Sequence, residues 1–182
     1  NQEWMVENLR VSKYKNGDPI NFINIISPST WASQSTSSSF CVYGNNIENS
    51  KNYGFMYNWA AVSDSRGLAP NGWRVASNQD WETLIQNLGA DPAQKVKSTG
   101  TLDFGTGLWR YPNDGTNESK MNILPSGYIY ESFQDLGTSS FIWTSVGNLA
   151  NKSAVAVVVA GNGIALGGNS TQYGLVVRCI KN

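Results

Sequence analysis

The stretch that most constrains this chain is a pair of aromatic–glycine segments. Tyr53-Gly54-Phe55-Met56-Tyr57-Asn58-Trp59 comes first, and Leu68-Ala69-Pro70-Asn71-Gly72-Trp73-Arg74-Val75 follows after a short polar turn. Large rings set among glycines in two blocks are not a generic core pattern. Taken alone, they describe a glycine-rich, aromatic-rich α+β domain of a secreted type.

The 182 residues fit a single domain, residues 1–182, with a sizeable core. Thirteen basic residues balance thirteen acidic ones, and only 14% of the chain is charged. Nucleic acids and anionic membranes both select a basic surplus, so neither is an expected partner. Polarity comes instead from Asn, Ser, Thr and Gly, a surface common in extracellular bacterial proteins and in proteins that touch neutral polymers. No run is long and apolar enough to span a bilayer. Asn1 opens the sequence without a charged n-region or an apolar h-region, so it reads as a mature or trimmed chain. In an oxidising compartment Cys41 and Cys179 are candidates for a disulfide, the other reading being two buried free thiols. They are too sparse for a structural zinc site, and the absence of histidine removes the common catalytic zinc ligands.

Along the chain, Trp4-Met5-Val6 and Leu9-Arg10-Val11 read as short strands. Asn16-Gly17-Asp18-Pro19 reads as a turn, and Ile20, Phe22 and Ile25 as a further extended segment. Residues 27–39 are Ser/Thr-rich and read as a loop. Phe40 to Tyr43 reads as a strand and Met56 to Val62 as a short helix. A clearer helix starts at a Ser77 cap with Asp80 in a capping-box position. It buries Trp81, Leu84, Ile85 and Leu88, and stops at Gly89. Residues 98–127 are irregular, with Trp109, Tyr111 and Leu124 as expected anchors. Tyr128–Phe133, Phe141–Ser145 and Ser153–Ala160 read as extended, Asn162-Gly163 as a hairpin turn, and Gly174–Ile180 as a strand buried on both faces. Helices early and strands late indicate an α+β domain with an antiparallel sheet rather than βαβ units.

Seven segments, in order, resemble the Fibrobacter succinogenes major paralogous domain, a bacterial surface module. They are Gln2–Leu9, Cys41-Val42-Tyr43, the two aromatic–glycine segments with Trp81 and Leu84 after them, Leu124-Pro125-Ser126-Gly127-Tyr128, Phe141–Ser145 and Val177–Lys181. The chain departs from the pattern at Ala76, where proline is usual, at Lys120-Met121, and at Val146. The resemblance implies a C-type lectin-like fold, also used by formylglycine-generating enzymes and phage tropism proteins. Two helices would then flank a mixed, mainly antiparallel sheet, with the opening segment beside the closing strand. It also implies a secreted or surface-anchored bacterial location, and a ligand face among the loops between the late strands.

Catalytic constellations are thin. A nucleophilic triad lacks its histidine base, and the two cysteines do not sit where formylglycine-type oxidation needs them. Paired carboxylates for glycoside hydrolysis would come from Asp114, Glu118, Glu131 and Asp135, all in polar stretches that also read as solvated surface. Asn113, Asp114, Asn117 and Glu118 supply hard oxygens for a possible calcium site, and turn chemistry accounts for the same residues. Of the seven tryptophans, Trp4, Trp59, Trp73 and Trp81 sit in motif or helical patterns and are expected in the core. Trp31, Trp109 and Tyr173 lie in polar stretches and are the candidates for stacking on sugar rings. Asn148, Asn151, Asn162, Asn169, Thr171 and Gln172 would bond hydroxyls from the late loops. The expectation is a non-catalytic module that binds a glycan or a protein surface ligand. The alternative is an adhesive protein–protein module such as an appendage tip.

Overall fold

The computed structural model describes residues 1–182. Its elements are β1 (Asn21–Phe22), α1 (Pro28–Ala32), β2 (Ser39–Cys41), a 3-10 turn (Tyr43–Asn45), α2 (Asn49–Tyr53), β3 (Met56–Tyr57), α3 (Trp59–Val62), β4 (Trp73–Val75), α4 (Asn78–Leu88), α5 (Pro92–Val96), β5 (Ser126–Ile129), β6 (Phe133–Leu136), β7 (Ser139–Asn148), β8 (Ser153–Ala160), β9 (Gly163–Ser170), β10 (Val176–Val177) and β11 (Cys179–Lys181). The class is α+β. The largest sheet runs β6-β5-β7-β8-β9, with β10 joined to β7. Its hairpins β5–β6, β7–β8 and β8–β9 are antiparallel, whereas β5 and β10 meet β7 in parallel, so the sheet is mixed.

The core lies on both faces of this sheet because side chains alternate along its strands. Trp143, Ala156 and Val177 pack on one face with Tyr57, Trp59 and Leu175. Ile142, Val157 and Val176 pack on the other with Trp31, Trp81 and Trp109. The all-apolar run of β8 is therefore buried on both sides, as strands of that composition require. Its hairpin turn sits one residue earlier than the Asn-Gly pair indicates. Ala160 pairs with Gly163, and Gly161 takes the positive φ of 50° that the first central position of a II′ turn needs.

Five short α-helices form where the sequence indicates two, and only α4, with 11 residues, exceeds five. Residues 27–39 are not simply loop, because Pro28 at the first helical position starts α1. Met56–Val62 divides instead of forming one helix. Met56 and Tyr57 pair with Cys41 and Phe40, and the Asn58 side chain then caps α3 by accepting from Ala61 N at 3.0 Å. The opening segment is held by single ladder bonds rather than in full strands. Met5 N donates to Cys179 O at 3.0 Å and Leu9 N to Val177 O at 2.8 Å, so the two ends of the chain lie side by side.

The α4 cap forms as its sequence indicates. Asp80 N donates to Ser77 Oγ at 3.2 Å, and Ser77 N donates to Asp80 Oδ2 at 2.7 Å. Arg74 Nη2 adds a bond to Asp80 Oδ1 at 2.8 Å. The Arg74 guanidinium first, and the Ser77 bonds after it, hold the Asp80 carboxyl at about 2, against an ordinary 3.8. A depressed carboxyl gives stability that is complete above its unfolded value and lost as pH falls through its folded value. In urea melts, the stability gap between the native chain and Asp80→Asn is therefore expected to be constant near neutral pH. It should shrink as pH falls from about 4 through about 2.

Candidate functional site

The most site-like surface is built around one cross-strand pair. Ile129 N donates to Gly174 O at 3.0 Å, and Gly174 N donates back to Ile129 O at 2.7 Å. Ile129 points into the core and is fully buried. Its neighbours Tyr128 and Tyr130 therefore point to the opposite face, and Tyr173 lies opposite Tyr130 in this antiparallel register. The rings of Tyr130 and Tyr173 stack with centroids 5.0 Å apart and planes 27° apart. Tyr128 closes on Tyr173 at 5.3 Å and on Phe141 at 4.8 Å.

Gly174 is glycine because two side chains fill the place of its missing Cβ. A Cβ there would lie 2.5 Å from both Trp31 Cζ2 and Ile129 Cγ2. Trp31 Nε1 then donates to Gln172 O at 2.9 Å, so one buried indole fixes the backbone on either side of Tyr173.

The three tyrosines, with Glu131, Ser132 and Gln134, line a cleft of about 150 Å³. Gln134 Nε2 donates to Ser132 Oγ at 2.6 Å, which orients the amide at its rim. Partial burial first, then the charges of Asp135 and Tyr173, raises the Tyr128 phenol above its ordinary value. It is therefore a neutral donor at physiological pH. Across Glu131 and Ser132 lies a second cleft of about 300 Å³, lined by Ile25, Ile26, Pro28 and Phe133. The surface thus offers aromatic faces, hydroxyl and amide edges, one carboxylate and an apolar shelf. That set suits a ligand with both C–H faces and hydroxyls.

The family model described as Fibrobacter succinogenes major domain matches residues 1–181. The chain belongs to this family. No curated protein and no solved structure matched it.

In this Fibrobacter succinogenes major domain the residues singled out from sequence separate into different places. Tyr173 is in the cleft, and Gln172 adjoins it through the backbone carbonyl that Trp31 holds. Asn148 and Asn151 lie at the β7–β8 turn, where Asn148 Oδ1 accepts from Ala150 N at 2.8 Å. Asn169 is on β9 opposite Ala154, at the end from which the chain runs on to Tyr173. Trp31 and Trp109 are not exposed. They retain 1% and 2% of their surface, because each indole is buried in the core and spends its N–H on a distant carbonyl. For Trp109 that carbonyl is Ile123 O, at 3.1 Å. Lys97 Nζ caps the Trp109 ring 4.8 Å from its centroid and donates to Gly161 O at 3.0 Å. This places Trp109 by the β8–β9 turn, at the opposite end of β8 from Asn148.

The possible calcium loop spends its oxygens internally. Asn113 Oδ1 accepts from Gly115 N at 3.1 Å, and Asn117 Oδ1 accepts from Asn122 N at 2.8 Å. Asp114 Oδ1 accepts from Lys97 Nζ at 2.7 Å, and Glu118 is exposed on the turn. An ion bound there would have to displace the Lys97–Asp114 pair. Glu131 and Asp135 sit on the β5–β6 hairpin, whereas Asp114 and Glu118 lie in the irregular stretch between α5 and β5.

Cys41 and Cys179 are free and buried, not bonded to each other. Cys41 packs with Trp31 and Met56 on one side of the sheet, and Cys179 with Tyr57 and Val177 on the other. Burial pushes the Cys179 thiol up to about 12 and raises Cys41 as well. An aromatic disulfide reagent is expected to find no reactive thiol in the native chain, and two after denaturation without reductant. Fewer than two would indicate a bond.

Sequence reasoning missed Tyr128 and Tyr130, although Tyr128-Ile129-Tyr130 in an extended run is an out-in-out alternation. Trp59 and Trp81 are core residues as expected. Trp4 and Trp73 are only half-buried and line an apolar groove of about 460 Å³ with Met5 and Val6. Tyr111 is not an anchor either. It is 67% exposed and meets Phe104, 70% exposed, edge to face at 5.7 Å.

Proposed function

We propose that this domain is a non-catalytic module of a bacterial cell surface or secreted protein that binds a glycan on the Tyr128–Tyr130–Tyr173 cleft. The single observation that carries the reading is the tyrosine trio itself, half-exposed, fixed by the Ile129–Gly174 pair and edged by Ser132, Gln134 and Glu131. Sugar rings present apolar C–H faces that stack on aromatic planes, while their hydroxyls bond amide, hydroxyl and carboxylate edges. A platform held by backbone bonds and a buried indole is already in its binding shape, which limits the entropy lost on association. Asn148, Asn151 and Asn169 would extend the site along the neighbouring sheet end. Side-by-side ends and a mixed sheet support a C-type lectin-like arrangement. The low charge and Asn/Ser/Thr-rich surface suit a neutral polymer.

A second reading is a docking module for another protein. The half-exposed Trp4 and Trp73 beside Val6, 56% exposed, favour it, because apolar grooves of this kind are common at interfaces.

Screening the purified domain against a glycan and polysaccharide array, in calcium and then in EDTA, tests the proposal. Binding in either condition that falls with Tyr173→Ala is the expected result. Calcium dependence would bring the Asn113–Glu118 loop into the site. A blank array with folded protein would overturn the glycan reading in favour of a protein partner.

A further inference from the structure

Arg178 stands between β10 and β11 and interrupts what its apolar neighbours would otherwise make a continuous strand. Its side chain is inside the molecule, 1% exposed. Nε donates to Asn8 Oδ1 at 3.1 Å, and Nη1 donates to Met5 O at 2.9 Å and Met121 O at 2.8 Å. All three acceptors are neutral, and none of the ion pairs in the chain includes Arg178. Loss of solvent lowers its guanidinium to about 10, so it remains a cation at neutral pH. Burying a charge without a direct ion pair is costly, and neutral acceptors offset that cost only in part; Glu7 acts on the guanidinium through its charge alone.

The remaining nitrogen, Nη2, has no hydrogen-bond partner in the chain, and Arg178 forms part of the wall of a polar cleft of about 150 Å³. Asn8, Lys51, Asn52 and Asn122 line the same cleft, and Glu7 is its only acidic residue. Glu7 is itself bonded to Arg10 at 2.6 Å. A volume of 150 Å³ holds about five liquid waters, enough for a carboxylate and the atoms bearing it.

We propose that this cleft is a carboxylate-binding site, with Arg178 Nη2 as the anchoring donor and the Asn52 and Asn122 amides beside it. A carboxylate fits better than a phosphate because Glu7 at the rim opposes a second negative charge. Charge-assisted bonds to a guanidinium are the strong kind. The carboxylate could be a free small anion, that of a sugar acid, or that of a peptide terminus. Recognition of the group itself is the same for all.

The test follows the Arg178 Nε–H and the Asn52 and Asn122 amide NMR signals while acetate is added at constant ionic strength against chloride. Galacturonate and an N-acetylated glycine serve as parallel titrants. Saturable shifts of these signals are expected. The titrant that binds tightest identifies the source. Asn52→Asp, on an exposed position, places a carboxylate of the chain's own at the cleft and is expected to weaken acetate binding at least tenfold. Glu7→Gln should tighten it. Absence of saturable shifts with every titrant, or equal acetate affinity in folded Asn52→Asp and the native chain, would overturn the proposal and leave Arg178 as an internal brace.

Discussion

Trp31→Ala is expected to lower the unfolding free energy by about 3–5 kcal/mol, the range for truncating a fully buried tryptophan. Three losses act together. The indole leaves a large cavity among Met56, Ile129 and Val176. Gly174 loses the ring it packs on, whose Cζ2 would stand 2.5 Å from a Cβ at that position. The Gln172 carbonyl loses its 2.9 Å donor. Because those contacts hold the backbone on both sides of Tyr173, ligand binding should fall along with stability. Trp31→Phe keeps one aromatic ring but removes the N–H and the rest of the fused ring system, so it should cost less than the alanine, about 1–3 kcal/mol. Urea unfolding with an unchanged m-value measures both. A loss of under about 1 kcal/mol for Trp31→Ala would place the residue at the surface, as its polar sequence context suggests.

Gly127→Ala is expected to destabilise by about 2–5 kcal/mol, combining left-handed strain with overpacking. Gly127 sits in β5 with φ 62°, and a Cβ there would lie 2.1 Å from Gln134 O and 2.9 Å from Leu136 N. Both obstacles are backbone of β6, so no side-chain rotation relieves them. The strand must move, and with it the hairpin that carries Tyr128, Tyr130 and Gln134. Gly167→Ala on β9 is the matched control. No atom lies within 4 Å of its added Cβ and its φ is not positive, so a change within about 0.5 kcal/mol is expected. Thermal or urea melts of the pair decide it, and equal effects would contradict the account.

What could be read from the sequence were features whose signals are local. The SAVAVVVA run gave β8 with its boundaries, because an apolar β-branched stretch has few other uses. Ser77 and Asp80 marked the start of α4, because a capping box involves residues three apart. The side-by-side ends came from the family resemblance and are present as the Met5–Cys179 and Leu9–Val177 bonds. What failed depended on distant partners. Trp31 lies in a Ser/Thr-rich stretch, and the carbonyl that buries its N–H is 141 residues away. Trp109 needed Ile123, Lys97 and the β8–β9 turn to be brought to it. The tyrosine cleft exists only because Gly174 meets Ile129, a register that local periodicity does not contain. A pair of cysteines likewise says nothing about which side of a sheet each will face.

The Tyr128–Tyr130–Tyr173 cleft is the ligand site proposed for this domain. Calorimetric titration of the best glycan from the array into the native domain, Tyr173→Ala and Tyr130→Ala tests it most directly. Losing a stacking ring from a binding centre should weaken Kd at least about tenfold, about 1.4 kcal/mol, while melting temperature stays near native. Unchanged affinity in both folded variants would contradict the account and move the site elsewhere on the domain.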